Sequence, residues 1–421
     1  MQQKLFTEIL PIYKSKKNNP YSIRIKMKML GTIDYSILRG AVDKTMKRYP
    51  YFCVKLQQEG NDFIFAENHN PVVITNSPRG VDLNSAASNY HMILFSYYDD
   101  WIIVDIFHGL TDGAGVYEVV RTLLYYYCAA RYNVKTSAEG IRTLDDKISD
   151  EEWNCPVMKI LENLPAPKHY EISKAIRPAE SAALPVEEIN TAYSIIIPES
   201  EFMQFNKKNG ASPATMAALL LSRAIYKLFP NNQNAIRVII AVNQRKALNA
   251  PLAHQSLVGG VVLEYGEKIR SQSLPQQIKI FRDAVTNQTR QENIFAGIAV
   301  TAELTKILLS KETNAERIAL ADSVNNLANT IAAANISYVG KANFNDAEKF
   351  IQEFHTWSYT TFDITFQISA VNGKFTIDFL QNFHSPLYVN AFLQELDENG
   401  IAYDFQDAVQ MQMPNVKFSW N

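Results

Sequence analysis

The sequence predicts a mixed α/β protein that consists of two lobes of similar size. Stretches with helical periodicity interrupt pairs of strand-like stretches that are spaced as antiparallel hairpins, and this alternation occurs in both halves of the chain. Of the 421 residues, 47% are apolar, which is enough to fill a substantial core. Four prolines and little periodicity mark residues 164–188 as a linker. We therefore expect an N-terminal lobe of residues 1–175 and a C-terminal lobe of residues 176–421.

The first lobe is predicted to contain a helix followed by two hairpins. After Asp34, the stretch YSILRGAVDKTMKRYP carries apolar residues at helical spacing, and Pro50 ends the helix. The following YFCVKLQQEGNDFIFA is typical of two strands around a Gly-Asn turn. HMILFSYYDDWIIVDIFH predicts a second hairpin that turns at Asp99 and Asp100. Its second strand ends at His108, so the sequence places this histidine at the C-terminal end of a strand.

A long helix is predicted directly after that histidine. Apolar residues recur from Val116 to Tyr127 at the spacing of one helix face. Thr111 or Asp112 is suited to be the N-cap, because a short oxygen-bearing side chain can accept a hydrogen bond from a first-turn amide. His108 is thereby predicted to lie in the short turn between a strand and a helix.

The second lobe follows a comparable order of strand, helix and hairpin without an exact sequence repeat. TAYSIIIP is typical of a strand, and Gly210 closes a short helix after it. SPATMAALLLSRAIYKLF predicts a helix with Ser212 as N-cap and Pro213 in the first turn. The remaining elements are two buried strands (AIRVIIAVNQR and SLVGGVVLEY), a surface helix (SLPQQIKIFRDAVTNQTRQ) and a hairpin that turns at Asn372-Gly373.

Composition argues against several classes of function. The 41 lysines and arginines against 43 aspartates and glutamates give a net charge of −2, without long runs of either sign, so we expect no nucleic-acid partner. No stretch reaches the ~18 apolar residues of a transmembrane helix, and the N-terminus has no signal-peptide pattern. The 3 cysteines fit neither a disulfide framework nor a metal pattern. These features predict a cytoplasmic protein.

The stretch FHGLTDG contains the candidate catalytic residues. A histidine at a strand end, held by a glycine-containing turn, can present one ring nitrogen to a cleft while a main-chain carbonyl fixes the other. His108 is therefore a candidate base, with Asp112 and Gly113 in the same motif. The position of Asp112 near a helix N-terminus favours a structural role in fixing the loop.

Two simpler alternatives exist for this stretch. One is a buried structural histidine followed by an aspartate that only caps the helix. The other is a metal site, which would require a third ligand that converges on His108 and Asp112. No such ligand is spaced recognisably in the sequence, so we predict that no metal binds there.

FHGLTDG matches the HxxxDG motif of the chloramphenicol acetyltransferase-like superfamily, which includes plant acyltransferases, alcohol acetyltransferases and the condensation domains of nonribosomal peptide synthetases. The chain is similar to that superfamily at further places: KRYPYF after the first helix, VNQRK followed by SLVGG, NISYVG near residue 338, and FTIDFLQNFH. The nearest resemblance is to bacterial alcohol acetyltransferase-like and condensation-domain-like proteins. It implies two similar lobes with mixed sheets and flanking helices, and a central channel between the lobes.

The resemblance also implies roles for individual residues. His108 would be the general base that takes a proton from the acceptor as the acceptor attacks an acyl thioester, without an acyl-enzyme. Arg245 in VNQRK resembles the arginine that pairs with the motif aspartate, which predicts an ion pair with Asp112. Three residues of NISYVG are candidates for stabilising the oxyanion or lining the channel, and each is at least equally suited to a local role in its strand: Ser337, Asn335 and Tyr338.

The implied activity is that of an O-acyltransferase that depends on acyl-CoA. We expect no permanently bound cofactor. The residues that bind CoA are not identified by the sequence, although Lys246 and Lys341 are suited either to phosphate contacts or merely to solvation. The expected substrates are a small alcohol or amine as acceptor and an acyl thioester as donor.

Two departures from the family pattern leave alternatives open. Condensation domains usually carry a histidine at the position of Phe107, and the DFGWG motif of the plant enzymes has no counterpart here. One alternative is a condensation-type reaction that forms an amide or ester from the phosphopantetheine thioester of a carrier protein, which would then be a partner. The other is a non-catalytic binding module of the same fold.

Overall fold

The molecule is built on two large β-sheets and a smaller one. The computed structural model describes residues 2–6, 8–17, 19–60, 62–167, 171–359 and 361–418. Its strands are β1 (Gln2–Lys4), β2 (Ser22–Met29), β3 (Val54–Glu59), β4 (Asp62–Glu67), β5 (Ile74–Asn76), β6 (Ile93–Tyr98), β7 (Trp101–Phe107), β8 (Thr191–Pro198), β9 (Arg237–Asn243), β10 (Val258–Glu264), β11 (Ala334–Lys341), β12 (Ile351–Ser358), β13 (Ile364–Val371), β14 (Lys374–Gln381) and β15 (Asp404–Gln410).

Helices connect and cover these sheets. They are α1 (Ile9–Lys14), α2 (Tyr35–Arg48), α3 (Gly113–Arg131), α4 (Pro156–Ile160), α5 (Pro178–Ser181), α6 (Glu199–Asn209), α7 (Pro213–Leu228), α8 (Glu267–Arg270), α9 (Leu274–Gln288), α10 (Gln291–Leu309), α11 (Asn314–Ile331) and α12 (Leu387–Glu398). The predicted mixed α/β architecture is confirmed.

The larger sheet has seven strands in the order β10-β9-β11-β13-β14-β8-β15. Strand β11 runs parallel to both of its neighbours, β9 and β13, whereas the other pairs are antiparallel. The sheet is therefore mixed. Parallel neighbours require a crossover connection, and the chain between β9 and β11 contains β10 and the helices α8 to α11. A hydrophobic core that includes much of α7 and α12 packs against this sheet.

The second large sheet has five strands in the order β12-β2-β7-β6-β5. Four of them come from residues 22–107, whereas β12 comes from residues 351–358 and pairs antiparallel with β2. The predicted lobe boundary at residue 175 therefore does not follow the sheets, because a strand from beyond it completes the first lobe. A third sheet, β1-β4-β3, lies in the N-terminal part.

Local signals in the sequence predicted the hairpins and the helix ends well. Strands β6 and β7 turn at Asp99, which has φ of 52°, and β13 and β14 turn at Asn372 and Gly373, with φ of 49° and 72°. Asp34 caps α2, and Ser212 caps α7 through the amide of Thr215. Asn61 of the predicted Gly-Asn turn and residues 168–170 of the predicted linker lie outside the described residues.

The turn that carries His108 is anchored at both ends by one hydrophobic core. Ile102, Val104 and Ile106 of β7 are fully buried, and so is the apolar face of α3 that begins at Val116. Strand and helix therefore pack into the same core, and the five residues between Phe107 and Gly113 have fixed ends.

Candidate functional site

The backbone and one ring nitrogen of His108 are held by main-chain groups. The His108 amide donates to the carbonyl of Tyr21 at 2.8 Å, and Nδ1 lies 2.9 Å from the carbonyl oxygen of Thr111. Because a carbonyl oxygen only accepts, Nδ1 carries the proton in this contact. Nε2 is then the unprotonated nitrogen of the neutral ring, and no side chain or main-chain group of the described residues hydrogen-bonds to it.

His108 lines a cavity of about 260 Å³ whose wall is mostly apolar. The apolar lining residues are Phe6, Leu10, Pro11, Val157, Leu257, Val258, Ile298 and Ala302. The hydroxyls of Thr301 and Thr305 donate to carbonyls of their own helix, α10. Besides His108 Nε2 and the Tyr21 hydroxyl, the polar groups of Gln244 and Ser256 are those in this wall that no other described residue engages.

Burial lowers the pKa of His108 below its ordinary value of 6.5. The cause is desolvation, which disfavours the charged imidazolium, and it outweighs the opposing effects of the residue's own main chain, the Asp112 carboxylate and the Thr111 carbonyl. The ring is consequently neutral at pH 7. A neutral imidazole with an unbonded Nε2 has the lone pair that a general base requires.

Asp112 is occupied by four hydrogen bonds, none of which involves the imidazole. Arg245 donates to both carboxylate oxygens at 2.8 and 2.9 Å, so the structure contains the expected ion pair. The amides of Leu257 and Gly115 donate at 2.9 and 3.1 Å, the second of these as the N-cap bond of α3. Because both oxygens are used in this way, Asp112 fixes the motif loop and is not placed to relay a proton.

The ion pair connects the motif loop to the segment between β9 and β10. The Arg245 side chain also donates to the carbonyls of Ala253 and Gln255, each at 2.8 Å. Both charged side chains are almost fully buried, with 1% of Asp112 and 8% of Arg245 exposed. A buried, bidentate pair of this kind makes removal of one partner expensive, at about 3–5 kcal/mol, because the other charge is left uncompensated.

Glycines at the start of α3 allow this close approach. A Cβ on Gly115 would lie 1.9 Å from Thr111 Oγ1 and 2.8 Å from the carbonyl oxygen of His254. A Cβ on Gly113 would lie 2.8 Å from a methyl group of Val339 on β11. Gly113 therefore has a packing role at the contact between the motif and β11.

His254 also contacts the motif loop, through its main-chain carbonyl. It is buried, its Nδ1 lies 2.6 Å from the carbonyl oxygen of Glu152, and its own carbonyl accepts from Thr111 at 2.6 Å. Burial lowers the pKa of His254 to about 4, so the ring is neutral. The Glu152 side chain forms a buried ion pair with Arg48 at 2.8 Å, which anchors this layer to α2. No local pattern in the sequence predicts this arrangement.

The three candidates on β11 do not line the cavity of His108. β11 is an interior strand of the large sheet, and Ser337 and Asn335 pair with Gln367 and Thr365 of β13. The ring of Tyr338 packs against Phe375, with centroids 5.6 Å apart. The structure instead brings Ser256 and Gln244 to the cavity.

These two residues belong to two of the stretches on which the family resemblance rests. Gln244 belongs to VNQRK, and Ser256 begins SLVGG. Of the two lysines considered for phosphate contacts, Lys341 lies 3.6 Å from the carboxylate of Glu199, and Lys246 is exposed.

The described residues were also compared with the requirements of a metal site and of a membrane span. Within the part of the chain that the structure describes, no group of three or more histidine, cysteine, aspartate or glutamate side chains is arranged to hold a metal ion. None of the described helices combines the length and the apolar character needed to cross a membrane.

The fold can be compared with known proteins. The sequence matches no protein-family model and no curated protein. The structure of polyketide synthase associated protein 5 from Mycobacterium tuberculosis is similar, with a TM-score of 0.65 at 10% identity over 93% of this chain and 96% of that chain. F. sporotrichioides TRI101, complexed with coenzyme A and T-2, gives a TM-score of 0.59 at 11% identity over 96% and 99%.

The condensation domain of the monacolin K polyketide synthase MokA gives a TM-score of 0.58 at 12% identity over 95% of this chain and 96% of that domain. Identities this low show the fold alone, but the coverage includes nearly the whole of both chains in each case. The chain therefore shares the overall mixed α/β fold of these three structures.

Proposed function

We propose that this protein transfers an acyl group from a thioester directly to the hydroxyl group of an acceptor, with His108 as the general base. The observation that carries the proposal is the unbonded Nε2 of a neutral imidazole in the wall of an apolar cavity. The fixed tautomer means that no reorganisation of the ring has to precede proton transfer.

The reaction would begin when the acceptor hydroxyl donates to His108 Nε2 and its oxygen attacks the thioester carbonyl. The proton moves to Nε2 as the new C–O bond forms, which leaves an imidazolium and a tetrahedral oxyanion. Collapse of this intermediate breaks the C–S bond. The thiolate then takes the proton from the imidazolium, so that an ester and a free thiol leave and the neutral base is restored.

Oxyanion stabilisation is assigned to the polar groups in the cavity wall. Ser256 Oγ and the Gln244 amide are donors that no other described residue engages, and most of the side chains that line the cavity with them are apolar. A hydrogen bond to a developing negative charge is strongest in such surroundings. A positioned base contributes about 10²–10⁴-fold, so the donors and the alignment of both substrates must supply the rest of the acceleration.

Acyl-CoA is the proposed donor, with an apolar acyl chain in the cavity of His108. Support comes from the lining of that cavity and from the similarity to TRI101, which was solved with coenzyme A. The second candidate is a carrier-bound donor, which the similarity to a condensation domain favours. The absence of a second histidine does not separate them, because Phe107 is fully buried against Phe418 and a histidine there would not face the cavity.

The test is acceptor-dependent thiol release from acetyl-, hexanoyl- and decanoyl-CoA, and from the same acyl groups on a carrier protein. We expect release with one donor class and a loss of about 10²–10⁴-fold in kcat for His108→Ala. His91→Gln is the matched control, since it alters another buried histidine, one that does not line the cavity. Release that is equal in wild type and His108→Ala would exclude the proposed base. Absence of release with every donor would favour the non-catalytic binding module.

A further inference from the structure

A second cavity meets the site of His108 at Tyr21. Its volume is about 370 Å³, and among the residues that line it, Tyr21 is the one that it shares with the cavity of His108. The Tyr21 ring lies against the imidazole, with centroids 5.2 Å apart. None of the described residues hydrogen-bonds to the Tyr21 hydroxyl, so rotation of this side chain breaks no side-chain hydrogen bond among them. Tyr21 thus lies between the second cavity and the base.

The wall of the second cavity is rich in primary amides. Six asparagines line it: Asn19, Asn190, Asn325, Asn326, Asn329 and Asn382. The Oδ1 atoms of Asn325 and Asn382 are buried and accept no hydrogen bond from the described residues. Because a buried acceptor without a hydrogen bond is unfavourable, a ligand that donates to either oxygen after a small rotation of the amide would remove this cost.

The charges in this cavity balance. The cavity is lined by two cations, Lys14 and Lys16, and by two carboxylates, Glu187 and Asp322, and the Lys16 ammonium lies 2.6 Å from the Asp322 carboxylate. Burial also lowers the pKa of Lys14 to about 8, which weakens its positive charge near that pH. A cavity with two cations and two carboxylates has no excess charge to attract a polyphosphate. Its chemistry therefore suits a neutral ligand that has many hydrogen-bonding groups.

We propose that this cavity binds a polyhydroxylated acceptor, a sugar or sugar alcohol, and that one of its hydroxyls reaches His108 when Tyr21 rotates. Each amide offers two donors and an acceptor, and each hydroxyl of a polyol can both donate and accept, so the two patterns are complementary. The rings of Tyr21 and Tyr359 in the wall offer flat apolar faces for the C–H side of a sugar. This proposal rests on the proposed acyl transfer, because it names the acceptor.

The experiment measures binding without an acyl donor, so that it does not depend on turnover. Saturation-transfer NMR and calorimetry would be used with sorbitol, glucose and trehalose, and 1-hexanol would serve as the apolar alcohol. Asn326→Leu/Asn329→Leu changes two amides on α11 that are at least partly exposed, so the fold should be kept. Asn231→Leu is the matched control, because Asn231 is exposed and does not line the cavity.

We expect one of the polyols to bind to wild type, to His108→Ala and to the control, and to bind at least about tenfold more weakly to the double variant. CoA binding should be the same in all four proteins. If no polyol binds to the wild type although it acylates 1-hexanol, the polyol assignment is overturned and acyl transfer stands. If the double variant loses CoA and keeps the polyol, the cavity belongs to the donor. If a polyol binds as expected but no donor is turned over, the binding site stands and acyl transfer fails.

Discussion

Loss of either partner in the Asp112 and Arg245 ion pair should destabilise the protein strongly, and loss of both should cost less than the sum. Arg245→Met leaves the Asp112 carboxylate buried with two remaining amide donors, those of Leu257 and Gly115. Asp112→Asn leaves the guanidinium with the carbonyls of Ala253 and Gln255 and with a neutral partner. In each single variant one charge is buried and uncompensated.

The magnitude follows from this burial. Breaking a buried pair costs about 3–5 kcal/mol. With an unfolding entropy of about 2.1 cal/mol/K per residue, the 421 residues give about 0.9 kcal/mol/K, so Tm should fall by about 3–6 °C in each single variant. In the double variant no buried charge remains, and its loss should be at least about 1 kcal/mol smaller than the sum of the two single losses.

Differential scanning calorimetry and denaturant unfolding would measure the stability of the wild type, the two single variants and the double variant, which together form a double-mutant cycle. The control is Lys279→Met, which breaks an ion pair whose side chains are 75% and 64% exposed and which should cost at most about 0.5 kcal/mol. If the Arg245 and Asp112 variants lose no more stability than this control, or if their losses simply add in the double variant, then the buried pair does not anchor the motif loop.

Four further results are expected. Because burial lowers the pKa of His108, kcat/KM should decrease at acidic pH, with the midpoint of this decrease below pH 6.5. A midpoint above pH 7 would contradict a buried neutral base. Ser256→Ala should lower kcat by about 10²-fold or more with little change in KM, and an unchanged kcat would remove it as an oxyanion donor. Ala302→Phe should place a ring in the cavity of His108 and reduce turnover of decanoyl-CoA more than that of acetyl-CoA, whereas equal effects on both would place the acyl chain elsewhere. Burial lowers the pKa of His254 in the folded state to about 4, so the unfolded chain binds more protons than the folded protein below pH 6.5. Tm should therefore fall as the pH is lowered from 6.5 to 4. His254→Gln should reduce this dependence of Tm on pH, and an unchanged dependence would mean that another group causes it.

Local sequence signals predicted the elements around the site but not how they assemble. The turns at Asp99 and at Asn372 and the capping residues Asp34 and Ser212 depend on a few neighbouring residues, which are visible in a sequence. Strand β12 was not predicted, because the choice of β2 as its partner depends on contacts more than 300 residues apart in the chain. Helices α10 and α11 were also missed, although they supply the crossover to β11 and part of both cavities.

Some residues of the candidate site could likewise be predicted from local sequence patterns, and others could not. The position of His108 at a strand end and the capping role of Asp112 follow from the local pattern, and the partnership with Arg245 came from the resemblance to a family. The proposed oxyanion donors could not be found by either route. Ser337 lies on a motif-like strand but pairs within the large sheet, whereas Ser256 has no local signal and reaches the cavity only because the segment before β10 folds against the motif.

The ion pair between Asp112 and Arg245 should also affect activity, through the segment that precedes β10. The amide that donates to Asp112 belongs to Leu257, the residue directly after Ser256, and Leu257 also lines the cavity of His108. One carboxylate therefore holds the start of the helix that follows the base and, one residue away, the proposed oxyanion donor. A shift of about 1 Å between a base and an oxyanion donor can cost about 10²-fold in rate. Asp112→Asn should accordingly lower kcat more than it raises KM, although Asp112 contacts neither the imidazole nor the cavity. Ser256→Ala should lower kcat less in the Asp112→Asn variant than in wild type, because the hydroxyl that it removes is already misplaced there.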